Sequence, residues 1–176
     1  MKKYLIIILI IFFVSCGTYV DRGKSIHTDF VDFTYLKNYN EFVYKSKINA
    51  VADNEVYYTT NFSLNLPKNI KGWFISDNEF YFEYANKEII YINSGYRNSD
   101  NNGNWMVREI NNEEINRFLS SYWNKRKYNE DDLEHEIFGR TSKIYSDGKV
   151  TILLYNIKSK NFDKYLDLAK SFKYLD

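Results

Sequence analysis

Few side chains in this sequence are suited to covalent or metal chemistry, and their spacing limits what they can do. There is one cysteine, Cys16, and there are two histidines, His27 and His135. A single thiol cannot form an internal disulfide, and a lone thiol in an exported chain needs a use of its own. No Gly-x-Ser-x-Gly turn, phosphate-binding loop or His-Glu-x-x-His helix occurs. The densest group of metal-capable side chains is 130–136 (EDDLEHE), with Asp131, Asp132, Glu134, His135 and Glu136. A metal needs ligands that converge, whereas neighbours along one exposed segment diverge, so this run reads as solvated surface. Asp100, Asn102 and Asn104 are spaced like the first ligands of a calcium loop. Trp105 then stands where a glycine is needed and Asn111 where a glutamate is needed, so the stretch reads as a polar turn. The sequence therefore assigns no catalytic residue, no metal site and no cofactor.

Cys16 lies at the end of a processing segment. Lys2 and Lys3 precede an unbroken apolar run, Tyr4 to Val14, of 11 residues. As a helix it would cover only about half of a hydrocarbon core roughly 30 Å thick, which marks a signal-peptide core rather than a membrane span. Phe13-Val14-Ser15-Cys16 follows and resembles the lipobox of bacterial lipoproteins, with Phe13 departing from the usual leucine. The resemblance implies that Cys16 receives a diacylglycerol on sulfur, that cleavage removes residues 1–15, and that the new amine is acylated, with palmitate-type chains. Two or more acyl chains suffice for a stable membrane anchor. The competing reading is an ordinary signal peptide with a chance cysteine. The abundance of Asn, Lys, Ile and Tyr, taken with this motif, is similar to lipoproteins of the Bacteroidetes. Gly17 follows the cysteine where enteric lipoproteins kept in the inner membrane carry aspartate, and only Asp21 is acidic nearby. These features imply the outer membrane, on its periplasmic face.

Cleavage would leave 161 residues with 22 basic against 23 acidic side chains. That length suits one domain. The balanced charge gives no footprint for nucleic acid. The many aromatics, 17 Tyr and 13 Phe, read first as core material. Residues 16–30 read as the lipidated end and a tether, and 31–176 as a single domain.

Periodicity supplies the elements of that domain. Phe33, Leu36, Tyr39 and Val43 could mark one helical face, leaving 31–50 ambiguous. Val56, Tyr58, Thr60, Phe62, Leu64 and Leu66 alternate with other residues, which predicts one strand ended by Pro67. Phe80, Phe82 and Tyr84 begin a hairpin that turns at Ala85-Asn86-Lys87 into 88–93. After a polar loop, 94–104, Asn112 is placed to cap a helix whose inward face is Ile115, Phe118, Leu119, Tyr122 and Trp123. Strands 140–146 and 149–157 meet at Asp147-Gly148. The second is apolar on both faces, with Val150, Ile152 and Leu154 on one and Leu153, Tyr155 and Ile157 on the other, so it needs cover on both sides. A closing helix over about 161–174 turns Phe162, Tyr165, Leu166, Ala169 and Phe172 inward. The expected core includes Phe62, Leu64, Phe80, Phe82, Phe118, Trp123, Ile152, Leu154 and Phe172.

These elements predict an α+β domain with a predominantly antiparallel sheet packed by amphipathic helices. Their order, with Ser171-Phe172 in the closing helix and Trp73 after Pro67, resembles the PsbP-like α/β/α sandwich, a likeness that implies no catalytic residues. The functional expectation is a non-enzymatic binding or accessory module of the cell envelope. It would be held to the membrane by its lipid and would meet an envelope protein partner. Two alternatives stand beside it: an inhibitor or immunity lipoprotein that blocks a toxin or hydrolase through an exposed loop such as 94–104, and an enzyme with a dispersed site.

Overall fold

The computed structural model describes residues 19–45, 49–52, 55–97, 103–128 and 137–175. Cys16, the 98–102 part of the polar loop and the 130–136 acidic run lie outside them. The fold is mixed α+β, built on two larger antiparallel sheets. The first holds β1 (Ile26–His27), β2 (Val31–Tyr35), β3 (Asn40–Tyr44), β6 (Phe62–Leu66) and β13 (Lys173–Tyr174), in that spatial order. The second runs β10 (Met106–Glu109), β11 (Arg140–Ser146), β12 (Val150–Lys158), β9 (Ile89–Ser94), β8 (Glu79–Glu83) and β7 (Gly72–Ser76). A separate ribbon pairs β4 (Asn49–Ala52) with β5 (Glu55–Tyr58).

The two sheets face each other across an aromatic core. Phe33, Phe42 and Phe62 from the first meet Phe80 and Phe82 from the second, with Phe42 edge-on to Phe82 at 5.0 Å between ring centres. Such tilted pairs put ring edges against ring faces and add roughly 0.5–1.5 kcal/mol each beyond area burial. The outer face of the second sheet is covered by helix α1 (Asn112–Arg126), which packs Ile115, Leu119, Tyr122 and Trp123 onto Tyr81, Tyr91, Leu153 and Tyr155. Its N-cap is Asn111, one residue earlier than expected: the Asn111 side chain accepts from the Glu114 amide at 2.8 Å, and Glu114 reaches back in a capping box. The helix stops at Lys127, in the left-handed conformation.

Central strand β12 is covered on both faces, as its composition requires, but by different layers: α1 on one side, and the first sheet with short helix α2 (Phe162–Ala169) on the other. Its alternation breaks at Asn156. That residue has φ of +56°, and the pairing with β11 slips by one residue there. The bulge flips the parity of the strand. Ile157 therefore joins Val150, Ile152 and Leu154 in the inter-sheet core instead of Leu153 and Tyr155 under α1.

Several other expectations are corrected. Residues 31–44, which the sequence leaves ambiguous, form a hairpin: Phe33 and Phe42 pair across it and are buried, while Leu36 lies in the turn and is exposed. The single strand expected from Val56 to Leu66 is two. Phe62, Leu64 and Leu66 reach the core, but Val56 and Tyr58 sit on the ribbon and are exposed. Strands β7 and β10 had no clear alternation and went unforeseen. The turn between β11 and β12 centres on Gly148-Lys149, because the Asp147 amide donates to the Val150 carbonyl; Gly148 takes φ of +91° at its first central position. The closing helix ends at Ala169, and the chain then extends so that Lys173 and Tyr174 pair with Ser63 and Phe62. Of the expected core, Phe118 is only partly buried; the other eight residues are buried.

Finally, the described part of the supposed tether is packed onto the domain. The Val20 amide donates to the Ile70 carbonyl at 2.9 Å. Asp21 is 4% exposed and accepts from the Asn40 side chain at 2.9 Å and the Asn69 amide at 2.7 Å. Strand β1 pairs with β2.

Candidate functional site

Among the described residues, Met106 and Val107 on β10, at the edge of the second sheet, and Ile137 and Phe138 ahead of its neighbour β11, are exposed apolar groups. Among the described residues β10 pairs on one side only, with β11, in the register Met106–Ser146 to Glu109–Lys143. All four of its residues are exposed, Met106 at 67% and Val107 at 43%. Two ion pairs brace the strand: Arg108 with Glu114 at 2.7 Å and Lys143 with Glu109 at 2.6 Å. The Arg108 guanidinium holds the Glu114 carboxyl below the usual carboxylate range. Behind the strand, Trp105 stacks on Tyr145 at 4.5 Å and also meets Phe172, which ties β10 to the core.

A cleft opens at each end of this edge. One, of about 510 Å³, is lined by Glu109, Ile110, Ile115, Ile137 and Phe138, among others. Phe138 is fully exposed beside it. The other, of about 560 Å³, lies between Asn104, Met106, Arg108 and Asp147–Gly148. An open strand with unpaired backbone groups is a ready template for an added strand, and apolar side chains beside it give such a partner something to bury.

Buried and half-buried carboxylates elsewhere are engaged in holding the fold. Glu79 accepts from the hydroxyls of Tyr81 at 2.7 Å and Tyr91 at 2.9 Å, under α1. Burial, reinforced by that carboxylate, pushes both phenols well above their ordinary range. Glu88, 6% exposed, accepts from Arg140 at 2.8 Å and from Tyr165 at 3.2 Å. Asp147 takes the Tyr174 hydroxyl on one oxygen and the amides of Lys149 and Val150 on the other. A carboxylate whose oxygens are occupied by structural donors is poorly placed to move a proton for a substrate.

Of the residues singled out in the sequence, His27 is exposed and sits 3.2 Å from Asp32, which also bonds Lys45 at 2.6 Å. Lys45, then His27, lower the Asp32 carboxyl. Asn104 lines the second cleft, whereas Asp100 and Asn102, like Cys16 and His135, fall outside the described residues. The described residues contain no group of three or more His, Cys, Asp or Glu side chains placed to share a metal. Nor do they include a helix long and apolar enough to cross a membrane. The β10 edge was missed because a four-residue strand between an Asn-rich loop and a helix cap is too short for periodicity to register. Comparison of the chain with protein-family models, curated proteins and solved structures gave no match.

Proposed function

We propose that this protein is a bacterial envelope lipoprotein, acylated on Cys16, whose domain is a non-enzymatic binding or accessory module. The observation that carries the reading is the position of the only thiol. Cys16 follows a short apolar run and a small residue, and it stands three residues ahead of Tyr19, where the described fold begins. Gly17, and the lack of an acidic cluster after the cysteine, favour the periplasmic face of the outer membrane. The partner is an envelope protein that adds an extended segment to the β10 edge. The inhibitor alternative would use the same edge, with the target enzyme as its partner. A PsbP-like relation is supported by the run of hairpin, helix, hairpin and closing helix. The second sheet, in place of one helical layer, departs from it.

Metabolic labelling with a fatty-acid analogue, in wild type and Cys16→Ser, tests the anchor. Label on wild type only, with the wild type in the outer-membrane fraction and the variant released, is expected. Unlabelled wild type free in the periplasm would overturn the reading, and cleavage by external protease would overturn the choice of face.

A further inference from the structure

Only Gly17 and Thr18 separate Cys16 from Tyr19. At full extension the three steps from Cys16 to Tyr19 span roughly 10 Å. If Cys16 is acylated, as proposed above, the domain cannot stand off from the bilayer, and one particular end of it must lie at the headgroups. That end is fixed by the contacts of residues 19–25. Val20 is bonded to Ile70, Asp21 to Asn40 and Asn69, and the Ser25 hydroxyl accepts from the Tyr35 amide. All of these partners sit at the end of the sandwich formed by the β2–β3 turn, 36–39, and the segment 67–71 after β6.

The chemistry of this end suits a lipid surface. The exposed cations Arg22, Lys24, Lys37 and Lys71 surround the attachment point, with Lys68 half-buried among them. Of the nearby acids, Asp21 is buried against Asn40 and Lys68, and Glu83 is paired with Arg126, which leaves Glu41 exposed. A chain that is almost neutral as a whole thus presents local positive charge where its anchor emerges. Val20 and Leu36 are exposed there at 36% and 37%, flanked by half-buried Tyr19 and Tyr39. Aromatic and basic side chains around small apolar tips are the composition of interfacial contacts. We infer that the end of the domain bearing residues 19–24, 36–39 and 67–71 docks on a bilayer surface with anionic headgroups. Strand β10 runs with Met106 at the opposite end, paired to Ser146, so this docking leaves the partner edge reaching away from the membrane.

The absence of any other cysteine makes the test direct, because acylation removes the only thiol and an introduced one is unique. The full acylated protein is prepared with Lys24→Cys or Lys37→Cys at the anchor end, and with Met106→Cys or Lys173→Cys at the far end. Each carries a fluorophore and is reconstituted in phosphatidylethanolamine–phosphatidylglycerol vesicles containing a headgroup-attached quencher. Mass measurement of each preparation reports acylation separately. Quenching several-fold stronger at positions 24 and 37 than at 106 and 173 is expected, with the contrast reduced in phosphatidylcholine alone. Equal quenching at the two ends of acylated protein would overturn the inference and leave the lipoprotein reading standing. A Cys16 found unmodified would overturn both.

Discussion

Asn156 decides which layer receives Ile157, and its two simplest replacements separate the reasons. The residue is 6% exposed with φ of +56°. Its side-chain amide donates to the carbonyls of Asn86 at 3.0 Å and Lys87 at 3.3 Å. Asn156→Ala and Asn156→Gly both strand these carbonyls, a loss of about 1–3 kcal/mol in either variant. They differ in the backbone. Alanine retains the left-handed penalty of about 1–2 kcal/mol that glycine escapes. Glycine in turn loses roughly 0.5–1 kcal/mol through the freedom it gains when unfolded. The net expectation is that the alanine variant is less stable than the glycine variant by about 1 kcal/mol. With an m-value of about 2 kcal/mol per molar urea, that is a midpoint difference of about 0.5 M. Parallel urea titrations with unchanged m-values measure it. An alanine variant as stable as the glycine one would refute the left-handed bulge and, with it, the assignment of Ile157 to the inter-sheet core.

Three further outcomes follow from the same contacts. Leu154→Ala, at a position 1% exposed between the sheets, should lower stability by about 2–5 kcal/mol in denaturant titration; a loss well below 1 would mean the side chain is not buried. Asp21→Ala should cost about 1–3 kcal/mol by stranding its donors, and should raise amide exchange at Val20 and Asn69 first; unchanged exchange there would mean Asp21 does not pin the start of the domain. Burial raises the phenols of Tyr84, Tyr122 and Tyr165, and that of Tyr155 to about 12. The unfolded chain loses these protons near pH 10 while the fold retains them, so their contribution is intact below about 10 and is lost as pH rises further. Phenolate absorbance should therefore rise cooperatively with unfolding on the alkaline side, and a gradual titration with the fold intact would contradict the burial.

How much of this was legible depended on the length of each element and on how cleanly its faces differ. The β8–β9 hairpin, α1 and the β11–β12 pair declared themselves, because each runs long enough for a period to register and has a turn or cap to bound it. Asn86 adopts its left-handed turn at φ of +59°, and Glu113 and Glu114 open α1 as its dipole favours. The 31–44 region stays ambiguous in sequence because Phe33, Leu36 and Tyr39 fall by coincidence at helical spacing. The strand alternation of Val31, Phe33 and Tyr35 is too short to outvote them. Alternation from Val56 to Leu66 is unbroken in sequence, and nothing local to it reveals that Thr59–Asn61 leave the ladder. Ile157 was misplaced because a one-residue bulge reverses parity without changing residue type. The candidate edge at β10 was hidden for a related reason: its exposure follows from being last in the sheet, which is a property of topology and not of Met106 or Val107.

The central claim is the anchor, and the chain offers a direct measurement of it. Trypsin should cut after Arg22, so protein extracted from membranes should yield an N-terminal peptide running from Cys16 to Arg22. The account predicts that mass spectrometry finds this peptide beginning at Cys16 and carrying diacylglycerol on the sulfur. A mature chain beginning at another residue, or an unmodified Cys16 thiol in that peptide, would contradict it.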